Sequence, residues 1–402
     1  MNGFETSSLN LKTINEVFDN TYFKINKILQ ELTGIWPYQK RFDASIKQFI
    51  VILILSMVSI PHINGIRVWC GKDLGLCAEN LAGVTYASGV CTKYFVVTRS
   101  KDQMAKVYEK ITSNWLTITD PDERVILNKF ALLGKYKSIG YVGYITVAAI
   151  CFSQLGLLPI LIDVVLPLQN GTREKLRVVK AEFGVDPYEY YWHIYGAYCA
   201  ISIVSSGVLM AIDTSYTAVV HQNLAIFNIV KHRLTQAKRA VNTVKDVAYE
   251  QIIAAIRLHQ DSLEFNNLIE HTYDVSFLIL IVICVTFLTF GAITIMVESD
   301  NYLDMFRLSL LECGVCIHLF YLSWPGQLVV TESENLYYYT YNNEWYNLSE
   351  KSKTLLKFMM LRCMKPCCLT AAGLYVMNFE NYGAIIKSTV SYITVVASFR
   401  ED

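Results

Sequence analysis

Five long apolar runs constrain the fold of this chain more than any other feature. A helix needs about 20 residues to cross the roughly 30 Å of hydrocarbon in a lipid bilayer. The runs that lack Asp, Glu, Lys and Arg over about that length are residues 48–66, 138–162, 190–212, 275–297 and 313–331. Two further segments, 76–98 and 378–399, are apolar but carry a few charged residues. The pattern predicts an all-α, polytopic membrane protein with seven transmembrane helices.

Composition agrees with this prediction and excludes other classes of protein. Hydrophobic residues make up 53% of the 402 residues and charged residues only 17%, whereas soluble proteins carry about 25% charged residues. Lys and Arg together number 35, as do Asp and Glu, so the net charge is zero. A nucleic-acid-binding protein would carry a basic excess. We therefore expect the lipid bilayer, and no nucleic acid, as a partner.

The distribution of Lys and Arg predicts how the helices are oriented. With a cytoplasmic N-terminus, 24 of these residues fall on the cytoplasmic side and seven on the outside, as the positive-inside rule requires. Seven helices then place the C-terminus outside. The outside loop 163–189 is long enough to fold over the mouth of the helix bundle, and it contains a predicted glycosylation site at Asn170.

The inside loop 216–271 carries apolar residues at roughly helical spacing. It predicts that the fourth and fifth helices continue well beyond the membrane. These extensions would form either a solvated helical hairpin or a platform for subunit assembly, and the spacing favours neither.

No pattern in the sequence is typical of an enzyme or of a metal site. The seven histidines form no H-E-x-x-H motif, and no glycine-rich phosphate loop is present. The predicted helices show no cluster of ionisable residues at one depth, which an intramembrane enzyme would need. We therefore expect no catalytic residues, no cofactor and no bound metal.

Isolated charged residues and cysteines near the predicted membrane ends have roles that spacing leaves open. Glu312 either faces a binding cavity or reaches the outer interface. Lys93, near the inner end of the second helix, is expected to extend its ammonium group to that interface. Cys70 and Cys77 bracket the first outside loop and could form a disulfide.

The last predicted helix carries a stripe that suits a pore wall. Ser388, Ser391, Val395 and Phe399 recur at steps of three, four and four residues, so they share one helix face. Small hydroxyl groups followed by two apolar side chains suit a narrow aqueous path with a hydrophobic constriction. The alternative is ordinary helix packing, which also favours small residues.

The C-terminal third of the chain closely resembles the insect odorant receptor family. The resemblance lies in a combination of short motifs, with Trp36-Pro37 before the first helix fitting as well. The motifs are Gly326-Gln327, Glu332-Ser333-Glu334, Trp345, Arg362, Lys365-Pro366, Leu369-Thr370-Ala371, Ile386-Lys387-Ser388 and Ser391-Tyr392. Length and topology also match the family over the whole chain.

The resemblance implies an odorant receptor that is a subunit of a ligand-gated, non-selective cation channel. Such channels are tetramers around a central pore, and tuning receptors assemble with a shared co-receptor into heterotetramers in the plasma membrane of sensory neuron dendrites. The implied ligand is a small volatile odorant. Four regions are implied. They are a cytoplasmic N-terminal segment 1–44, transmembrane helices 1–6 with an outer ligand pocket in 45–330, a cytoplasmic anchor segment 331–375 and a pore-lining seventh helix 376–402.

Within this resemblance, the seventh helix is split into a cytoplasmic piece around 350–365 and a pore-lining piece from about 378. The family's gate positions map onto Val395 and Phe399. The ligand pocket lies in the outer half of helices two, three, four and six. The residues expected there are Tyr86, Cys151, Phe152, Tyr195, Tyr198, Cys199, Ser202, Cys316 and Phe320.

Three other identities are weaker on the sequence. The co-receptor itself has a longer second cytoplasmic loop. A gustatory-type receptor, which works without the co-receptor, ends in T-Y-h-h-h-h-h-Q-F, whereas Ser391 and Ser398 replace the Thr and Gln here. A G-protein-coupled receptor has the opposite topology, and its D-R-Y and N-P-x-x-Y motifs are missing.

Overall fold

Helices form most of the protein, as predicted. The computed structural model describes residues 10–168, 171–237, 246–297 and 302–401. The α-helices of these residues are α1 (Leu11–Phe18), α2 (Lys24–Thr33), α3 (Arg41–Trp69), α4 (Leu74–Arg99), α5 (Lys101–Thr117), α6 (Pro121–Gln154), α7 (Leu158–Val165), α8 (Tyr191–Gln236), α9 (Val247–Val297), α10 (Tyr302–Tyr341), α11 (Glu350–Cys363) and α12 (Phe379–Glu401).

Several helices are long and apolar enough to cross a membrane, which makes the chain a multi-pass membrane protein. The candidate spans among the described residues are Arg41–Trp69, Pro121–Val165, Tyr191–Gln236, Val247–Val297 and Asp304–Tyr341. Each contains one of the five uncharged runs to within a residue. The two less apolar segments, 76–98 and 378–399, are helical as well and correspond to α4 and α12.

The apolar run 138–162 is interrupted, although the sequence predicts one continuous helix there. Leu155–Leu157 forms a 3-10 turn between α6 and α7. Pro159 lies in the first turn of α7. Proline has no backbone N–H and its ring collides with the carbonyl one turn earlier, so the α-helical ladder of α6 cannot continue through it.

The fourth and fifth helices continue far beyond the thickness of a bilayer, as predicted. Helix α8 has 46 residues and α9 has 51, which is about 70 Å or more at 1.5 Å per residue. The last turns of α8, residues 213–236, are buried on nearly all sides. Helix α8 packs with α9, α10 and α2, and α9 also packs with α5 and α11. We term the packed part of the molecule around residues 213–236 the anchor region.

A short hairpin joins the anchor region to α12. Its strands are Thr370–Ala371 (β1) and Tyr375–Val376 (β2), which pair antiparallel. Helix α11 precedes it, so the split of the last helix into two pieces, around 350–365 and from about 378, is observed. The hairpin packs on α9, and α12 packs on α9 and α10.

Residues of the Gly326-Gln327 and Glu332-Ser333-Glu334 motifs hold this junction in place. The Ser333 hydroxyl accepts a hydrogen bond of 2.9 Å from the Cys367 backbone N–H, and the Gln327 side-chain carbonyl accepts one of 3.2 Å from the first residue of α12. A Cβ atom on Gly326 would lie 2.0 Å from the Met377 carbonyl oxygen. Only glycine therefore allows the chain after the hairpin to approach α10 this closely.

The opposite end of the bundle is covered by the described residues 171–190, which we term the cap. Trp69 donates a hydrogen bond of 2.8 Å to the Glu182 carboxylate. The Asn80 side-chain amide donates one of 3.1 Å to the Lys180 carbonyl. The loop between α7 and α8 therefore lies over the mouth of the bundle, where the sequence predicts it.

A disulfide closes the turn between α3 and α4 at the same end. Cys70 and Cys77 are bonded, with their Cα atoms 4.8 Å apart. The bond joins the ends of two helices that the cap also contacts. It is the disulfide that the sequence left open as a possibility.

Candidate functional site

A cavity of about 470 Å³ lies inside the bundle beneath the cap. Helices α4, α6, α8, α9 and α10 form its walls, and α3 contributes Val58 and His62. Most of the lining atoms belong to apolar or aromatic side chains, with a small number of hydroxyl and charged groups among them. Cavities of this size and character are typical of sites for small apolar ligands.

Most of the residues that we expected in a ligand pocket line this cavity. They lie on α4, α6 and α8, and they are Tyr86, Cys151, Phe152, Tyr195, Tyr198, Cys199 and Ser202. Tyr86 donates a hydrogen bond of 3.1 Å to the Ser205 hydroxyl, which also lines the cavity. The Tyr198 hydroxyl is buried and has no hydrogen-bond partner among the described residues.

Cys316 and Phe320 on α10 do not line the cavity, contrary to expectation. The Phe320 ring stacks on Phe379 of α12 at a centroid distance of 5.2 Å and contacts Tyr382 at 5.5 Å. Phe320 has a suitable depth along the helix but faces the neighbouring helix α12. Cys316 lies one turn before it on α10.

Helix α9 supplies a wall that the sequence did not reveal. Leu280, Ile283, Phe287 and Gly291 line the cavity from this helix. The run 275–297 is apolar on every side, so its hydrophobic periodicity does not distinguish a face toward a cavity from a face toward lipid or another helix.

Buried charged and polar groups form the inner end of the cavity, and their pairing corrects two expectations. Lys93 does not extend to the interface, because its ammonium group lies 2.5 Å from the Asp213 carboxylate and both side chains are almost fully buried. Tyr141 donates a hydrogen bond of 2.8 Å to the other Asp213 oxygen, and His318 lies 3.6 Å from it. Ionisable residues therefore do cluster at one depth of the bundle, although the sequence indicated none.

The cluster has a structural role, because its ion pair and its hydrogen bond join neighbouring helices. It joins α4, α6, α8 and α10, with Tyr141 also stacked on Tyr321 at 3.9 Å. A carboxylate buried among helices is stabilised only when it is paired and hydrogen-bonded. Asp213 meets this requirement through Lys93 and Tyr141.

A second set of charges closes the cavity beneath the cap. Arg307 binds the Glu79 carboxylate through two bonds of 2.7 and 3.0 Å and donates a third, of 2.8 Å, to the Val178 carbonyl in the cap. Lys180 of the cap pairs with Asp304 of α10 at 2.8 Å. A bidentate arginine–carboxylate pair has fixed geometry, so these contacts hold the cap on α4 and α10.

Glu312 faces the cavity rather than the outer interface, which decides between the two positions that the sequence allowed. Its carboxylate lies against Gly291 of α9, where a Cβ atom would approach the Glu312 Oε1 atom to 1.6 Å. The glycine therefore provides the space that this side chain occupies.

The proposed pore residues are only partly within the described structure. Ser388 and Ser391 are exposed on α12, and the Ser391 hydroxyl donates to the Lys387 carbonyl of its own helix at 2.9 Å. The side chains of Val395 and Phe399 lie outside the described residues, as does the glycosylation site Asn170.

One group of described residues could offer ligand atoms to a metal ion. Asp120, Asp122 and His232 have carboxylate and imidazole atoms within 4.8 Å of one another. Asp120 already caps α6 by accepting hydrogen bonds from the Asp122 and Glu123 backbone N–H groups at 2.9 and 3.1 Å. This capping explains the cluster, and we assign no metal site to it.

Solved structures of insect olfactory receptors have the same fold. The chain superimposes on olfactory receptor OR5 from Machilis hrabei in complex with eugenol with a TM-score of 0.75 and 13% identity, covering 94% of this chain and 97% of that one. The structure of the same receptor described without eugenol gives a TM-score of 0.72 at 13% identity, covering 95% and 99%.

Sequence comparisons lead to the same group of proteins. Odorant receptor 10 of Aedes albopictus is 21% identical over 178 residues, which are 42% of this chain and 47% of the relative. Odorant receptor 22a of Drosophila melanogaster is 18% identical over 172 residues, which are 43% of each chain. The chain thus spans less than half the length of these two curated relatives in the alignments.

A family model decides the classification. The model described as 7tm Odorant receptor matches residues 78–390, which is well over half of the chain. This match includes nearly all of α4 and all of α5 to α11, and therefore nearly all of the cavity wall. The family is one of receptors rather than enzymes. The chain is therefore a member of the insect odorant receptor family.

Proposed function

We propose that this chain is the tuning subunit of an odorant-gated, non-selective cation channel, and that a small volatile binds in the cavity beneath the cap. The cavity carries the proposal, because it lies beneath the cap, is walled by aromatic and aliphatic side chains and is lined by few polar atoms. A ligand there is held by shape and dispersion. The chain works with the shared co-receptor in a heterotetramer at the plasma membrane of sensory neuron dendrites, with its N-terminus cytoplasmic and its cap outside.

The polar groups in the cavity suit weakly polar volatiles. The Tyr198 hydroxyl, which has no hydrogen-bond partner among the described residues, can donate a hydrogen bond to a ligand oxygen. The Ser202 hydroxyl lines the same space. Aromatic rings such as Tyr86 and Phe152 provide flat apolar surfaces for a small ring or chain.

Helix α10 connects this cavity to the last helix. Its residues Glu312 and His318 line the cavity, while Phe320 stacks on Phe379 at the start of α12. A ligand that displaces α10 therefore acts on α12 through packed aromatic rings. It opens the pore if it binds the open state more tightly than the closed state by a few kcal/mol.

Recording of volatile-evoked currents tests the proposed function directly. Cells that express this chain with the co-receptor are expected to conduct cations when a volatile from a broad panel is applied, and cells that express this chain alone are not. Equal currents without the co-receptor would instead identify a gustatory-type channel. A response that needs a G protein and no channel pore would identify the third alternative and contradict the proposal.

The gate is expected at Val395 and Phe399. Alanine at either position widens a hydrophobic constriction, so the resting current of the assembled channel is expected to rise or its ion selectivity to change. Resting current and reversal potential are measured with the co-receptor present. Phe358→Ala, on an exposed surface of α11, serves as the control and is expected to behave as the wild type. Unchanged currents in both gate variants would show that the constriction lies elsewhere.

A further inference from the structure

Glu312 is the one charged side chain of the cavity wall that lacks a protein counter-charge within the described residues. The wall contains four charged side chains, those of Glu79, Lys93, Arg307 and Glu312. Glu79 pairs with Arg307, and Lys93 pairs with Asp213. The Glu312 carboxylate has no hydrogen-bond or ion-pair partner in the described part of the chain.

Among the described residues, the surroundings of Glu312 offer space and no donor that is hydrogen-bonded to its carboxylate. Gly291 leaves room for the carboxylate against the backbone of α9. The backbone N–H groups in the middle of an α-helix are already bonded to the preceding turn, so those of α9 are not free to bind it. Nearby wall residues Leu308, Leu311 and Val315 are aliphatic.

Removing a carboxylate from water without a partner is costly, and a cation placed beside it offsets much of that cost. Protein cations do not serve here, since Lys93 and Arg307 are each engaged by another carboxylate. A cation carried by the ligand can serve, in competition with a proton that would neutralise the carboxylate. A protonated amine provides N–H donors and a positive charge, whereas an alcohol of the same shape provides one neutral donor.

We propose that Glu312 makes this cavity selective for small volatile amines, whose ammonium group binds the Glu312 carboxylate while the hydrocarbon part contacts the aromatic wall. This inference rests on the proposed function, because it assumes that the cavity is the odorant site. It adds the chemical class of the ligand and a residue that determines it.

Matched pairs of amines and alcohols test the proposal. Hexylamine, cyclohexylamine and 2-phenylethylamine are compared with 1-hexanol, cyclohexanol and 2-phenylethanol on cells that express this chain with the co-receptor. We expect at least one amine to activate at a concentration about tenfold or more below that of its alcohol, as a charge-assisted hydrogen bond requires. Glu312→Gln keeps the shape of the side chain and is expected to abolish this preference while the alcohol response remains.

The matched control is Glu264→Gln, which removes the same charge from an exposed position on α9. It is expected to retain the amine preference of the wild type. If the wild type responds to these volatiles but prefers no amine over its alcohol, or if Glu312→Gln keeps the preference, the proposal is wrong.

A binding measurement separates this inference from the channel function. The thermal unfolding of the purified chain is followed with and without 2-phenylethylamine and 2-phenylethanol, since a ligand that binds the folded state raises the melting temperature. If the amine raises the melting temperature of the wild type but not that of Glu312→Gln, the inference is supported even when no volatile evokes a current. The absence of a current would overturn the proposed channel function alone. If the amine stabilises wild type and Glu312→Gln equally, or neither, the inference fails.

Discussion

Asp213→Ala is expected to destabilise the folded protein by about 3–5 kcal/mol, which is the usual cost of removing one partner of a buried ion pair. The substitution leaves the Lys93 ammonium buried without a counter-charge and removes the acceptor for the Tyr141 hydroxyl. Because these three residues belong to three different helices, the variant should reach the cell surface poorly. Surface expression and the melting temperature of the purified protein measure the effect.

Removing both charges should restore much of the stability. In the double variant Lys93→Met with Asp213→Leu, no ion remains to be desolvated, and such replacements are often neutral or stabilising. Glu264→Ala, at an exposed position, is the control for loss of a carboxylate and should leave both measurements unchanged. A double variant no more stable than Asp213→Ala, or a stable Asp213→Ala protein, would show that the ion pair does not hold these helices.

Ser202→Trp is expected to abolish the response to volatiles or to restrict it to the smallest of them. Ser202 lines the cavity, and an indole ring would occupy a large part of its volume of about 470 Å³. With less space in the cavity, a ligand makes fewer of the dispersion contacts on which its binding depends. Concentration–response curves for a series of volatiles of increasing size measure the effect, and responses to the largest ligands should disappear first.

The adjacent residue provides a matched control. Ile203 is 71% exposed on the same helix and lines no part of the cavity. Ile203→Trp therefore tests the effect of a tryptophan on α8 without filling the site. A full response in Ser202→Trp, or equal losses of response in both variants, would contradict the assignment of this cavity as the ligand site.

The sequence predicts the helices well because the length of an apolar run determines whether a helix can span a bilayer. All the predicted spans are helical, and the predicted extensions of the fourth and fifth helices are observed in α8 and α9. The break at Leu155–Leu157 escaped prediction because apolar composition continues through it. Pro159 was the local signal that could have indicated it.

Contacts between helices are less accessible to sequence reasoning. Asp213 directly follows the uncharged run 190–212, where nothing in the sequence singles it out, and Lys93 was expected at an interface. These two residues are 120 positions apart in the sequence, so their pairing depends on how their two helices align side by side. Buried opposite charges on different helices become interpretable only when the packing of those helices is known.

The same limit applies to the cavity. Depth along a helix follows from residue number, and it placed seven expected residues on α4, α6 and α8 around the cavity. The direction in which a side chain points from the helix axis becomes a contact only through the neighbouring helices. Phe320 points toward α12 and not into the cavity. Glu312 was identified as a candidate from its charge, but only the packing of Gly291 shows where its side chain lies.

The central claim is that a volatile occupies the cavity between the cap and the Lys93–Asp213 pair. Its most direct test is an experimental structure of the full chain, assembled with the co-receptor, at a saturating concentration of the most potent volatile found in the current recordings. We predict density for the volatile in this cavity, in contact with Tyr86, Phe152 and Tyr198. Density for it at another site, with this cavity empty, would contradict the account.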